Sequence, residues 1–261
     1  MHSRGGRAPT LAATLVAVAL AITACGTDAA PRPTASAEAS AELSVSPTPS
    51  PPAPEPTPAF DRSAFSIDEA SSPWVVVDKL RPLNPIDYVP ELVDAPVPFI
   101  SNPQMRPEAA EAMARMFAAA AAEGAGSMQI QNAYRSFATQ TSVHERLVAS
   151  LGQAKARAQS AQPGYSEHQT GLAADITALP EECSIQACFG QTPQGLWLAA
   201  NSWRFGFILR YPADKTPITG YIYEPWHFRY VGVELSTEMH STGVTTLEEF
   251  FALPAAPDYA G

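Results

Sequence analysis

From Thr27 to Thr57 the chain is almost wholly Ala, Pro, Ser and Thr with scattered charges, densest at Pro51-Pro52-Ala53-Pro54-Glu55-Pro56. Such a segment buries too little apolar surface to offset the entropy of ordering it. It reads as an extended, semi-rigid spacer, and it confines any core to the residues that follow. Of 261 residues, about 190 remain, enough for one domain with a sizeable core. No internal repeat divides them. The expected boundaries are 1–25 for a leader, 26–65 for the spacer and 66–261 for the folded domain.

The leader begins with Arg4 and Arg7 and continues as an apolar run from Leu11 to Ala24, closing on Ile22-Thr23-Ala24-Cys25-Gly26. A basic start, a short apolar run and small residues at the cut make a secretory signal. The run falls short of the roughly 20 residues that span a bilayer. Cys25 stands where cleavage would fall, an arrangement that looks like a lipobox, whose Cys is lipidated and becomes the mature N-terminus. The alternative is a plain signal peptide with an incidental Cys, although an unpaired exported thiol is a chemical liability. The expected location is therefore extracytoplasmic, anchored to the cell membrane as a lipoprotein.

Acidic residues outnumber basic ones 26 to 16, a net charge of −10. No Lys/Arg cluster interrupts this balance, which argues against nucleic acid and against electrostatic adhesion to an anionic surface. A monomer is expected. Cys183 and Cys188 flank Ser184-Ile185-Gln186-Ala187. In an exported protein a short-loop disulfide is expected; a metal-ligating pair is the alternative, but two Cys without a nearby His make half a zinc site.

Trp74-Val75-Val76-Val77 is a short β-type run, followed by Pro-punctuated chain. Ala109, Ala112, Met113, Met116, Phe117 and Ala120 recur at helical spacing, and Gly124 supplies a stop. Met128-Gln129-Ile130-Gln131 alternates as a strand does. A second helix is predicted from an N-cap at Ser136, with Val143, Leu147, Leu151, Ala154 and Ala158 inward. Leu172 to Ile176 alternates again. A third helix runs from about Pro193 to Arg204 and ends at Gly206, with Trp197 and Trp203 on its core face. Phe207 to Arg210 and Trp226 to Val231 read as closing strands. Strands mixed with helices, without regular βαβ repetition, predict an α+β domain, a mainly antiparallel sheet flanked by helices.

Three segments concentrate chemistry. In Tyr165-Ser166-Glu167-His168-Gln169-Thr170-Gly171-Leu172-Ala173-Ala174-Asp175, a turn at Gly171 puts Leu172, Ala174 and Ile176 on one strand face. Asp175 then faces the other way with Ala173 and Thr177, close to His168 on the preceding turn. In Tyr223-Glu224-Pro225-Trp226-His227-Phe228-Arg229-Tyr230, His227 and Arg229 share a face opposite Trp226, Phe228 and Tyr230. Two His, one Asp and a water make a four-coordinate, open site of the catalytic kind, with Glu224 just upstream. In Ala133-Tyr134-Arg135-Ser136 the strand-to-helix junction can aim a guanidinium at a developing oxyanion. Each piece alone is an ordinary surface or core residue; their conjunction carries the signal. His144 and His240, beside Glu145 and Glu238, read as solvated or supporting residues.

Tyr134-Arg135-Ser136 with Gln140, Pro163-Gly164-Tyr165-Ser166-Glu167-His168-Gln169-Thr170-Gly171 through Asp175, and Glu224-Pro225-Trp226-His227 together resemble the VanY-type D-alanyl-D-alanine carboxypeptidases. These are zinc peptidases of the group that includes lysostaphin and the hedgehog N-terminal domain. Asp78-Lys79-Leu80-Arg81-Pro82-Leu83 and Tyr88-Val89-Pro90 are similar to the family's N-terminal segment, so the resemblance spans about Trp74 to Val231. It implies a zinc ion (Zn2+) on His168, Asp175 and His227, Glu224 as general base and then acid, and Arg135 at the carbonyl and its oxyanion. It also implies contacts from Ser166, Gln140 and Tyr134 to the substrate, a peptidoglycan stem peptide losing its terminal D-Ala. One departure is Asn132-Ala133, where Ser-Gly is usual; the loop with Cys183 and Cys188 is expected at the rim. Left open are an L,D-carboxypeptidase, an endopeptidase of cross-links, and a cell-wall binding lipoprotein that has lost catalysis. Retention of all four site residues speaks against the last.

Overall fold

The computed structural model of the protein describes residues 59–260. The expected signal peptide with its lipidation site Cys25, and residues 26–58 of the expected spacer, lie outside the described residues. Among the described residues no helix is long and apolar enough to cross a membrane.

The stripe of small and apolar residues forms α1, Pro107–Ala122. Pro107 occupies the first helical turn, where a missing N–H costs nothing. Ala109, Ala112, Met113, Met116, Phe117 and Ala120 are all buried, and Gly124 takes the left-handed conformation just past the end (φ 83°). A two-residue ribbon, β1 Val93–Asp94 with β2 Gln104–Met105, precedes this helix. The main sheet contains β3 Ser127–Asn132, β4 Ala173–Leu179, β5 Phe207–Leu209 and β6 His227–Tyr230, in the order β3-β4-β6-β5. Every neighbouring pair in it is antiparallel, so the α+β expectation holds.

Strand alternation then separates core from site. Ala174 and Ile176 of β4 and Phe228 of β6 join the α1 stripe in the main hydrophobic cluster. Leu198 joins them from α4, Pro193–Asn201. A 3-10 turn at Ser202–Phe205 continues α4 to Gly206, which is left-handed (φ 87°). Short helices α5 Thr216–Thr219, α6 Val233–Thr242 and α7 Leu247–Phe250 follow.

Four expectations need correction. Trp74 to Val77 is buried but unpaired in any strand. The Arg229 guanidinium donates to the Pro73 and Val75 carbonyls (3.1 and 2.8 Å), replacing a β ladder. The second helix does start at Ser136, whose Oγ accepts the Thr139 N–H (3.2 Å). It splits, however, into α2 Phe137–Leu151 and α3 Gln153–Arg157 at Gly152 (φ 80°). The break rotates the chain: Gln140 is the buried residue of α2 and Ala156 that of α3, while Leu151 and Ala154 are exposed. Half-buried Trp197 does pack against the main hydrophobic cluster, but Trp203, also half-buried, instead stacks on His240 at 4.1 Å. Lastly, the spacer assigned to residue 65 ends earlier. Phe60 stacks on Trp74 (5.5 Å) and Arg62 donates to the Phe250 carbonyl (2.8 Å), contacts that a Pro/Ser-dominated composition hides.

Candidate metal centre and active site

The β4–β6 register makes Asp175 and His227 direct cross-strand partners, a spacing that places side chains in contact. The third member arrives from a 3-10 turn at Glu167–Thr170 closed by Gly171, left-handed at φ 71°. A Cβ there would meet Leu92, Arg106 and Pro90 at 2.9–3.2 Å, so only glycine makes this reversal without strain. The turn lays His168 over Asp175, with Nε2 3.3 Å from Oδ2. On the other side His227 Nδ1 is 3.3 Å from Asp175 Oδ1. The imidazoles stand nearly perpendicular, 4.9 Å apart. All three residues offer ligand atoms within 4.8 Å of one another, and all three are buried.

The remaining ring nitrogens are already engaged. His168 Nδ1 meets the Ala133 carbonyl at 2.6 Å, which leaves Nε2 free. His227 Nε2 meets Glu167 Oε2 at 3.3 Å, which leaves Nδ1 free. Asp175 Oδ1 is buried and receives no hydrogen bond despite its nearness to His227. A buried carboxylate oxygen without a donor is costly, and a cation resolves it. Two imidazoles and one carboxylate form a zinc donor set with coordination positions left open. The residues present therefore fit the ion.

Around this trio the electrostatics are uneven. Burial alone would raise Asp175, but His168 and His227 hold it below the usual carboxylate range. Burial lowers His168, which Asp175 offsets only in part. Burial also works against a charged His227, yet Asp175 and Glu167 prevail and raise it to about 9. Glu224 is pushed up to about 8, first by burial and further by Asp175. Its Oε2 lies 3.9 Å from His227 Nδ1, on the turn entering β6. Arg135 Nη2 is 3.7 Å from Asp175 Oδ2. Arg135, Ser160, Ser166, His168, Glu224 and His227 line one cavity.

Of the three residues expected at the substrate, Ser166 lines this cavity and Gln140 and Tyr134 do not. Gln140 has no exposed surface. Its Oε1 accepts from Arg135 Nη1 (3.0 Å), while its Nε2 donates to Ser160 Oγ (3.0 Å) and the Ala161 carbonyl (2.6 Å). It aims Arg135 rather than touching a ligand. Tyr134 lies outside the cavity lining, its backbone N–H donating to the Gln104 carbonyl (2.9 Å) and its carbonyl accepting from Asn102 (2.8 Å). Cys183 and Cys188 are disulfide-bonded, with Cys183 packed on the core and neither lining the cavity. His144 and His240 are on α2 and α6, away from it.

Glu167 was missed in the sequence, although it adjoins His168 in a segment singled out there. Its Oε1 accepts from Arg210 Nε (2.8 Å) and Arg229 Nη1 (2.9 Å), and Arg210 also grips Glu248 through two bonds (2.9 and 2.7 Å). All four side chains are fully buried, two cations against two anions. Burial would raise Glu167, but Arg210 and Arg229 keep it well below the usual range. It is thus a permanent anion behind His227, and such outer partners fix the ring orientation of a metal-binding histidine.

Residues 102–233 match the VanY family, described as D-alanyl-D-alanine carboxypeptidase. A D-alanyl-D-alanine carboxypeptidase of Enterococcus faecalis is 42% identical over 144 residues, 52% of this chain and 51% of that protein. The chain spans about half the length of three of the curated relatives it matches. The solved structure of the LdcB LD-carboxypeptidase is similar with a TM-score of 0.65 and 39% identity, covering 70% of this chain and 87% of that one. A mutant of the vancomycin resistance D,D-pentapeptidase VanY, in complex with Zn(II), gives 0.58 and 35%, covering 70% and 99%. With a match over half its length, joined to this trio and its neighbours, the chain belongs to the VanY family of D-alanyl-D-alanine carboxypeptidases.

Proposed function

We propose that the chain is a zinc-dependent D,D-carboxypeptidase that removes the terminal D-Ala from peptidoglycan stem peptides ending in D-Ala-D-Ala. The observation that carries this reading is the buried His168–Asp175–His227 trio with Glu224 and Arg135 on the same cavity. A zinc ion held by the trio supplies Lewis acidity at the scissile carbonyl and acidifies the attacking water. Glu224 takes the water's proton on its carboxylate and returns it to the departing amine, the work of a positioned general base and acid. Arg135, held by Gln140, faces the oxygen on which negative charge gathers. Glu167 holds the far nitrogen of His227.

The likeness to the LdcB LD-carboxypeptidase favours a second reading, in which the same machinery acts on a tetrapeptide stem. Mass spectrometry of defined stems incubated with zinc-loaded protein separates the two. A pentapeptide losing one D-Ala is the expected result, and loss from the tetrapeptide alone would transfer the proposal to L,D-cleavage. We further propose that the chain is exported and anchored through lipidated Cys25. The basic start, short apolar run and small residues around Cys25 support this reading.

A further inference from the structure

Gln159, Ser160 and Ala161 line the cavity beside Arg135 and Glu224, on the loop between α3 and the Glu167 turn. A loop can hold a substrate in register only if its own backbone is fixed. Gln140 fixes its middle at Ser160 and Ala161. Its far end is fixed from the C-terminal tail, which lies beyond the residues matched to the family. The Gln162 N–H donates to the Tyr259 hydroxyl at 2.7 Å. The Tyr259 ring also packs edge-on against Tyr165 at 5.1 Å.

A second arm leaves the same side chain. Tyr259 Oη is 3.4 Å from Tyr221 Oη, Tyr221 packs on Tyr211 at 4.6 Å, and Tyr211 packs on His227 at 4.9 Å. Both Tyr211 and Tyr221 line the cavity. The tail is docked by bonds independent of Tyr259. The Ala256 N–H donates to the Ile218 carbonyl (2.7 Å), Lys79 Nζ donates to the Gly220 and Pro257 carbonyls (2.6 and 3.3 Å), and Asp258 pairs with Arg157 (3.5 Å). Gly220 is left-handed (φ 77°), and a Cβ there would meet the Ala256 and Pro257 carbonyls at 2.6–2.7 Å. The chain has left room for its own tail.

We propose that Tyr259 is a positioning residue for the substrate cleft, strapping the Gln159–Gln162 wall through its hydroxyl. The proposal rests on the carboxypeptidase reading and concerns how the stem peptide is held. The strap acts on substrate binding, since Tyr259 touches neither the metal ligands nor Glu224.

Tyr259→Phe tests it, because the ring and its packing on Tyr165 remain while the hydroxyl goes. In the zinc-loaded full-length protein, amide exchange at Gln162 should accelerate and KM for a pentapeptide stem should rise about tenfold. Zinc affinity and kcat should stay within about threefold of wild type, since no group that touches the reacting atoms has changed. Truncation after Ala256 should raise KM at least as much. Unchanged Gln162 exchange overturns the strap. Faster exchange with unchanged KM also overturns it, leaving the tail a purely structural feature, as does a fall confined to zinc affinity. A wild type that turns over no stem peptide sinks the carboxypeptidase reading instead, and Gln162 exchange still decides whether the strap exists.

Discussion

His227 and Glu224 make the metal centre a proton-linked device at the residue scale. Without a cation His227 titrates at about 9 and Glu224 at about 8, so both are protonated at pH 7. Ligation needs neutral His227, and a nearby cation favours ionised Glu224. Zinc uptake at pH 7 should therefore release between one and two protons, with affinity rising up to about pH 9. Calorimetry in buffers of different ionisation enthalpy measures this; uptake without proton release would contradict it. Both folded pKa values lie above the ordinary ones, so the metal-free fold loses stability as pH climbs from about 4.5 to 8 through Glu224 and from about 6.5 to 9 through His227. Glu167→Gln should lower zinc affinity by about 10–100-fold, because it frees His227 and leaves Arg210 and Arg229 short of a partner. Metal titration checks this, and an unchanged affinity counts against it. His168, Asp175, His227, Glu224 and Arg135 were legible because each sits in a short, locally distinctive segment. Glu167 and Gln140 were not, since their roles depend on partners brought together only by folding: Arg210 and Arg229 lie 43 and 62 residues from Glu167, and Ser160 and Ala161 lie 20 and 21 from Gln140.

At the scale of elements, the reversal at Gly171 converts a stretch of sequence into a metal-ligand spacing. Gly171→Ala forces a Cβ into a left-handed residue, costing about 1–2 kcal/mol, and crowds Leu92, Arg106 and Pro90. Lower thermal stability and weaker zinc binding should appear together, because the same turn places His168. A variant with unaltered Tm and zinc affinity would show that the turn does not set the site. Strands β4 and β6 could be read in advance because their alternation separates polar from apolar faces. The Trp74–Val77 run could not, since the Val75 carbonyl is satisfied by Arg229 from β6 and the Val76 carbonyl by Arg81 rather than by a neighbouring strand. The split between α2 and α3 hinges on one left-handed glycine inside a continuous apolar pattern.

For the whole molecule, composition set the size of the folded part but misplaced its start, because Phe60 and Arg62 make their contacts with residues distant in sequence, Trp74 and Phe250. The C-terminal segment is tied to the centre as well, through Glu248 on Arg210 and Tyr259 on Gln162. At the other end, Cys25→Ala should abolish incorporation of labelled fatty acid that the wild type carries. An unlipidated wild type released into the medium would remove the anchoring proposal.

The account stands or falls on separating the metal ligands from the proton carrier. Glu224→Gln preserves shape but cannot accept a proton, whereas His168, Asp175 and His227 are assigned to the ion. Metal analysis beside turnover of a D-Ala-D-Ala-ending peptide should find zinc retained in Glu224→Gln and kcat reduced by about 10²–10⁴-fold or more. Near-normal turnover in the zinc-loaded variant would contradict the mechanism, and loss of zinc would make Glu224 a ligand.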